Sequence, residues 1–175
     1  MTLSAYFASH APLSVEQMGD NPIRGNIYET ELDFTGLFFE ENIDEETGKR
    51  FSYSKHVRLR YQTCCSSGYL PMDERYDRNN SFAKKISKLV YDYVMKALED
   101  SPEVVYYIAL NSYEDQDFET MRSVHISEIN SDEDLHIGDR ECIRIYRDDP
   151  MLELLDDVNG FLVVANPEHY GLCNT

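Results

Sequence analysis

Carboxylates in short runs are the most numerous side chains of this sequence that could do chemistry. The runs comprise Asp115, Asp117 and Glu119; Asp132, Glu133 and Asp134; Asp148 and Asp149; and Asp156 and Asp157. Carboxylates from several elements that converge on one point can hold two metal ions and activate a water molecule. Spacing along the chain does not establish convergence, and most runs of like charge are solvated surface. We therefore expect acidic surface loops, with a metal-dependent hydrolase as an alternative.

An EF-hand calcium loop is recognised by the residue types at fixed positions. The stretches that begin at Asn42 and at Asp132 place oxygen-bearing side chains at alternate positions, as an EF-hand does. That loop also needs a glycine at position six and a glutamate at position twelve. Counted from Asn42, these positions hold Thr47 and Tyr53, and neither is suitable. From Asp132 both positions hold isoleucine, so we expect no such calcium site.

The cysteines offer a second possible chemistry. Cys64 and Cys65 follow Arg58 and Arg60, and a positive setting lowers the pKa of a thiol. A catalytic thiol also needs a neighbouring base such as histidine. A structural zinc site usually shows Cys-x-x-Cys or His-x-x-x-His spacing, and neither occurs here. With Cys142 and Cys173 the chain has four cysteines, too few and too irregular for a disulfide framework. We expect free, mostly buried thiols and no metal, and keep a cysteine-dependent hydrolase as an alternative.

The glycines argue against nucleotide chemistry. All eight are isolated, and no Gly-x-Gly occurs, so no phosphate-binding loop of the P-loop or dinucleotide type can be written. The Gly-x-Ser-x-Gly turn of serine hydrolases is also absent from the sequence. We therefore expect a protein that has no cofactor and is not an enzyme.

Charge is sorted along the chain. Residues 1–48 carry 10 acidic and 1 basic side chains, residues 49–98 carry 4 and 11, and residues 99–175 carry 19 and 4. The net charges are −9, +7 and −15, which give −17 in total. The basic segment either neutralises its acidic flanks or forms a separate face. Its candidate basic patch consists of Arg58, Arg60, Lys84, Lys85 and Lys88.

Size and composition are those of one folded domain. The chain has 175 residues, of which 42% are hydrophobic and 12% aromatic, too many for a disordered acidic chain. Its first residues lack the basic segment and apolar run of a secretory signal, and no stretch is long enough to span a bilayer. We expect a cytoplasmic protein that does not associate with membranes.

The elements that must position these residues indicate an α+β fold. Alternating aromatic and β-branched residues predict an antiparallel hairpin of 32–40 with 51–63. Apolar residues three and four apart predict a helix that follows an N-cap at Asn80 or Ser81. A continuous apolar run predicts a central strand at 104–110. The later elements are predicted as a helix at 116–129, a strand with outward arginines at 141–147, a helical turn or two at 151–157, and a strand at 161–165. Residues 1–30 are expected to form a short helix or strand and then a loosely packed loop.

The prediction is a single α+β domain over residues 1–175, with two main helices packed on a mixed sheet. The pattern that supports it comprises Asp77-Arg78 before an amphipathic helix with Ile86 and Val90, a Val-Tyr-Tyr-Ile strand, an acidic loop, Arg122 in the next helix, and a strand ended by Asn166-Pro167. This pattern covers about half of the chain and resembles that of an uncharacterised family of small bacterial domains. The resemblance implies the α+β layout and transfers no functional residue, because that family has no assigned activity.

Together these features favour an acidic binding protein, such as an inhibitor, immunity or antidefence protein, that occupies a basic, nucleic-acid-binding site on another protein. Dense negative charge steers such association. The expected partner-binding residues are Asp115, Asp117, Glu119, Asp132, Glu133, Asp134, Asp148 and Asp149. Direct nucleic-acid binding is disfavoured because phosphate affinity needs cations and the chain is strongly negative. A self-associating domain, in which the basic segment of one copy meets the acidic segments of another, is a further alternative.

Overall fold

A computed structural model describes residues 3–110 and 116–147, together with the backbone of 154–156 and 162–164. In chain order, the elements are β1 (Leu3–Ser9), β2 (Gln17–Met18), α1 (Glu31–Phe34), β3 (Leu37–Phe38), β4 (Glu40–Glu41), β5 (Tyr61–Ser67), α2 (Ser81–Asp100), β6 (Glu103–Leu110), β7 (Thr120–His125), β8 (Glu141–Tyr146), β9 (Leu154–Asp156) and β10 (Leu162–Val164). The main sheet has the order β4-β5-β1-β6-β8-β7. Only β7 and β8 are parallel among its neighbours, so the predicted α+β class with a mixed sheet is confirmed.

Strand β1 lies in the middle of the sheet. It pairs antiparallel with β5 on one side and with β6 on the other, and all of its residues are buried. Leu3, Ala5 and Phe7 point towards one face and Tyr6 and Ala8 towards the other. The expectation that residues 1–30 pack loosely is therefore wrong for this strand. Its small residues fit because both faces of the strand are covered.

Helix α2 covers one face of the sheet, which we call the helix face. Asn80 caps the helix, its side-chain oxygen accepting hydrogen bonds from the backbone N–H groups of Phe82 at 2.9 Å and Ala83 at 3.3 Å. The buried side of α2, including Ile86, Val90 and Tyr93, packs on the core formed with β1 and β6. The helix predicted to follow Asn80 or Ser81 is confirmed.

The opposite face of the sheet, which we call the loop face, is covered in part by the loop of residues 51–60. Val57 and Leu59 pack there against Tyr6 and Tyr107. The side-chain N–H₂ of Gln62 donates to the carbonyls of Val57 at 3.0 Å and Leu59 at 2.8 Å, which fixes the loop on the sheet. The hairpin predicted for 32–40 with 51–63 is therefore largely wrong. Residues 32–40 contain β3 and most of α1, and β3 pairs with β2. Most of 51–60 is this loop, and only the short strand β4 pairs antiparallel with β5.

The helix predicted at 116–129 is wrong. This segment contains the edge strand β7 followed by two short 3₁₀ helices, Ile126–Glu128 and Asp132–Leu135. Met121 and Val124 are three residues apart, which suits a helix, yet they face opposite sides of a strand and join different cores. Spacing over so few residues cannot separate the two structures. Of the two predicted main helices, only α2 is present, and α1 is a single turn.

The remaining predictions concern the later strands. The central strand at 104–110 and the strand at 141–147 are confirmed as β6 and β8, but Arg144 is buried, so the outward orientation of the arginines is wrong for this residue. Leu154–Asp156 is a strand where a helical turn was predicted, and it pairs antiparallel with Leu162–Val164, within the predicted strand at 161–165. The rest of 151–157 and of 161–165 lies outside the described residues. In the described part of the chain, no helix combines the length and the apolar character needed to cross a membrane.

Candidate interaction surface

Seven of the sixteen lysines and arginines form ion pairs with carboxylates of the described chain. The ion pairs of Lys or Arg that join separate segments or elements are Lys96–Glu16 at 2.7 Å, Arg50–Glu41 at 3.1 Å, Arg78–Glu133 at 3.1 Å, Arg122–Glu141 at 2.9 Å, Arg140–Glu119 and Arg144–Glu103, and Lys88–Asp92 lies within α2. Several of them connect the basic middle segment to its acidic flanks. The fold thus uses the charge sorting for internal neutralisation, and the excess negative charge remains for the surface.

The predicted basic patch is divided between two elements. Lys84, Lys85 and Lys88 belong to α2 on the helix face, whereas Arg58 and Arg60 belong to the loop that covers the loop face. The ammonium group of Lys85 donates a 2.5 Å hydrogen bond to the carbonyl of Leu32. The structure therefore does not bring the five residues together into one cationic surface.

The first acidic cluster makes contacts with its own chain. Asp117 Oδ1 lies 3.1 Å from Nε2 of His56, and the carboxylate of Glu119 accepts a hydrogen bond from Arg140. Both carboxylates are more than 60% exposed, so they remain available to solvent. Asp115, Asp148 and Asp149 lie outside the described residues.

The second acidic cluster, Asp132, Glu133 and Asp134, forms a 3₁₀ turn beside α2. The carboxylate of Asp134 accepts 2.8 Å hydrogen bonds from the backbone N–H groups of Asn130 and Ser131, which hold its pKa below the usual range. Glu133 pairs with Arg78. This cluster lies on the side of the helix face and Asp117 contacts the loop that covers the loop face, so the structure does not join them into one site.

A different acidic region, residues 17–38, forms a hairpin-like projection that we call the arm. At its base β2 pairs antiparallel with β3, and in its middle the N–H of Asn21 donates to the carbonyl of Asp33 at 2.8 Å. At its tip the N–H of Ile23 donates to the carbonyl of Ile27 at 2.7 Å, with Gly25 at φ +58° in the turn. A reciprocal capping box between Thr30 and Asp33 begins α1. These bonds define the arm's backbone from base to tip.

The arm lies along α2. Gly19, at φ +84°, approaches the side chain of Leu89 so closely that a Cβ at this position would overlap it. The bond from Lys85 to Leu32 fixes α1 on the same helix, and the pair of Lys96 with Glu16 holds the segment just before the arm. Contacts of Gly19 and of α1 therefore anchor the arm to α2.

The arm carries an unusual concentration of exposed apolar side chains. Ile23 is 67% exposed, Phe34 65%, Ile27 62% and Phe38 56%, and the ring of Tyr28 packs edge-on against Phe34 at 5.1 Å. The ionised side chains of the arm are the four carboxylates Asp20, Glu29, Glu31 and Asp33 and the one cation Arg24. The sequence reasoning missed this surface because it assigned residues up to 30 to a loosely packed loop and 32–40 to a strand of the predicted hairpin. The available signal was isolated isoleucine and phenylalanine among acidic and turn-forming residues.

A second feature missed from the sequence is a buried charge cluster on the loop face. Glu103 Oε1 lies 2.7 Å from Nε2 of His10, and Glu103 Oε2 accepts a hydrogen bond from Arg144. Burial raises the pKa of Glu103, but the bonds and charges of His10 and Arg144 outweigh it and hold that pKa below the usual value. The carboxylate is therefore ionised at neutral pH. It is 1% exposed, which gives it a role in holding strands together and no access to a substrate.

Another buried pair resembles half of a catalytic triad. Ser87 Oγ lies 2.9 Å from Nε2 of His136, and burial lowers the pKa of this histidine despite the opposing carboxylates of Asp73, Asp132 and Glu133. A nucleophilic serine must reach its substrate. Ser87 is 1% exposed in the middle of α2, so this pair connects the helix to the acidic turn and is not an active site.

The thiols and clefts give little support to enzyme chemistry. Burial raises the pKa of Cys65 and of Cys142, which favours the unreactive thiol form. Cys64 is partly exposed, and Cys173 lies outside the described residues. Within the described ranges, no three His, Cys, Asp or Glu side chains are grouped so that they could hold a metal ion. A shallow cleft of about 200 Å³ lies between Pro12, Tyr93 and Lys96.

Comparison of the chain with protein-family models, with curated proteins and with solved structures finds no match.

Proposed function

We propose that this protein is a non-enzymatic acidic binding protein of the cytoplasm, which acts as an inhibitor, immunity or antidefence protein by occupying a basic, nucleic-acid-binding surface of a partner protein. The observation that carries the proposal is the excess of negative charge. The chain has 33 acidic and 16 basic side chains, and seven of the basic ones already pair with carboxylates of the described chain, so a net charge of −17 remains to attract a basic partner.

Such a field favours encounter with a positively charged partner. Complementary potentials raise the association rate and select partners by charge, and the effect weakens as salt screens it. A basic surface that binds nucleic acid is suited to this protein because it already accepts dense negative charge. Of the predicted partner-binding residues, Asp117 and Glu119 are more than 60% exposed, and Glu119 also pairs with Arg140.

The experiment is capture with the immobilised protein from a nuclease-treated extract of the cells that make it, in about 50 mM and about 500 mM salt. We expect nucleic-acid-binding proteins to be retained at the lower salt concentration, released at the higher one, and displaced by added duplex DNA. A matched column would carry an unrelated folded protein of similar net charge. Retention on both columns, or retention that neither salt nor DNA alters, would contradict the proposal.

A further inference from the structure

We infer that the arm, residues 17–38, is the docking surface for this partner, and that it takes a basic segment whose lysines or arginines are interspersed with apolar side chains. The inference rests on the proposed function. It adds an apolar contact with the partner, which a nucleic acid that competes for the same partner does not make. The occupant is therefore a protein segment of stated chemistry: basic on its rim and apolar at its centre.

Large exposed apolar side chains are concentrated on the arm. Seven of them are substantially exposed in the described part of the chain, and four of these belong to the arm: Ile23, Ile27, Phe34 and Phe38. Single exposed apolar residues are ordinary, but a concentration of them marks a surface that another molecule covers. Aromatic anchors at the centre of a contact commonly contribute much of its binding energy.

The backbone of the arm is already ordered. Its base, middle and tip are each closed by backbone hydrogen bonds, and its side rests on α2. Gly36 fits against the carbonyl of Met18 where a Cβ would overlap it, so the base is closely packed. Binding to an ordered surface costs less conformational entropy than binding to a flexible loop. The apolar side chains are thus presented at fixed positions.

The negative charge of the arm selects a basic occupant. Glu29 and Glu31 are exposed, and neither forms an ion pair with the described residues. The arm has four carboxylates and one arginine, and Glu16 and Glu40 flank it. A second copy would bring the same acidic arm and an equal net charge, which repel. An anionic membrane surface is disfavoured for the same reason, whereas a basic protein segment is attracted.

The test uses two dye-labelled probes of equal charge. One is an amphipathic peptide with leucines on one helix face and lysines on the other, and the second is oligolysine without apolar residues. Anisotropy titrations would compare the native protein with the double variant Ile27→Ser, Phe34→Ser. We expect the variant to bind the amphipathic peptide about tenfold more weakly, because two exposed anchors are lost, and to bind oligolysine almost unchanged.

Two further variants serve as controls. Tyr69→Ser removes an exposed ring that lies outside the arm and should leave both titrations unchanged. Glu29→Gln with Glu31→Gln keeps the apolar surface and should weaken the binding of both probes while reducing its salt dependence. This second variant tests the arm independently if the serine variant proves unstable in urea titrations.

The outcomes separate the two proposals. If captured partners are retained but none of the arm variants alters peptide binding, the docking inference is wrong and the proposed function stands. If neither probe binds and no nucleic-acid-binding partner is captured, the proposed function itself fails. If sedimentation reveals self-association that the arm variants abolish, the arm is a contact between copies of the chain, and the inference is overturned.

Discussion

The carboxylate of Glu103 accepts a hydrogen bond from the guanidinium of Arg144, with 1% and 6% of the two side chains exposed. The residues stand on adjacent strands, β6 and β8, so the pair ties two strands of the sheet at one end of the loop face. A buried ion pair carries a large desolvation cost and is worth little against a well-packed apolar pair. Removing one residue of the pair nevertheless destabilises the fold, because the charge of the other residue stays buried without a partner.

Replacing Glu103 with glutamine tests this asymmetry. The substitution keeps the shape of the side chain but leaves Arg144 buried without its counter-charge, so we expect a loss of about 3–5 kcal/mol in the free energy of unfolding. Urea denaturation at neutral pH measures it. The matched control is Glu119→Gln, whose pair with Arg140 is largely exposed and should cost at most about 1 kcal/mol. Equal losses in the two variants would contradict the structural role given to Glu103.

His136 predicts a dependence of stability on pH. Burial lowers the pKa of this side chain in the folded protein, so the unfolded chain takes up a proton first as the pH falls. The free energy of unfolding should therefore decrease from the ordinary histidine pKa of 6.5 downwards, and this contribution should be absent from His136→Gln. Urea midpoints between about pH 7.5 and 5.5 measure the two slopes. His125→Gln is the control at a partly exposed histidine, and parallel curves for the native protein and His136→Gln would refute the prediction.

Gly36→Ala should disturb the base of the arm. An added Cβ would overlap the carbonyl oxygen of Met18, a backbone atom that cannot move away without breaking the β2–β3 pair. We expect a loss of about 1–3 kcal/mol and faster proteolysis between residues 17 and 38. Gly48→Ala offers a comparison, because that glycine lies in open space and meets only the strain of its positive φ, about 1–2 kcal/mol. Protease resistance of the arm in Gly36→Ala at the native level would contradict the packing described.

Asn80→Ala should destabilise α2 through its first turn. The side-chain oxygen of Asn80 satisfies the N–H groups of Phe82 and Ala83, and loss of such a cap costs about 1 kcal/mol. Thermal unfolding followed by circular dichroism measures the change. Asn79→Ala removes the same side chain one residue earlier, where it does not cap the helix, and should have little effect. The prediction fails if the two variants unfold at the same temperature.

Local patterns in the sequence predict those helices and strands whose buried side is determined by their own residues. The spacing of Ile86, Val90 and Tyr93 predicts α2, and the apolar run of β6 predicts a buried strand, because in both cases the residues alone decide which side is covered. The mixed α+β class follows from these elements and from β8. The position of β1 does not follow, since its burial depends on two partner strands that are far away in the sequence.

The candidate surface was less accessible to sequence reasoning. The ion pairs of Lys96 with Glu16 and of Arg78 with Glu133 depend on tertiary contacts. Counting charges along the sequence therefore could not establish whether the basic segment neutralises its acidic flanks. Arg144 was predicted to face outwards because charge normally does, and its buried partner could not be identified from the β8 sequence. The exposure of Phe34 likewise depends on how the arm rests on α2.

The central place of β1 has a consequence for synthesis on the ribosome. Its partner β6 lies about 100 residues further along the chain, with Leu3 opposite Leu110, and β5 is also made long after it. At roughly 5–20 residues per second, β1 emerges several seconds before either neighbour exists. During that interval an apolar strand with two open edges is available to other nascent chains and to chaperones. Delay in translating residues 10–110 should therefore lower the yield of folded protein more than an equal delay after residue 147.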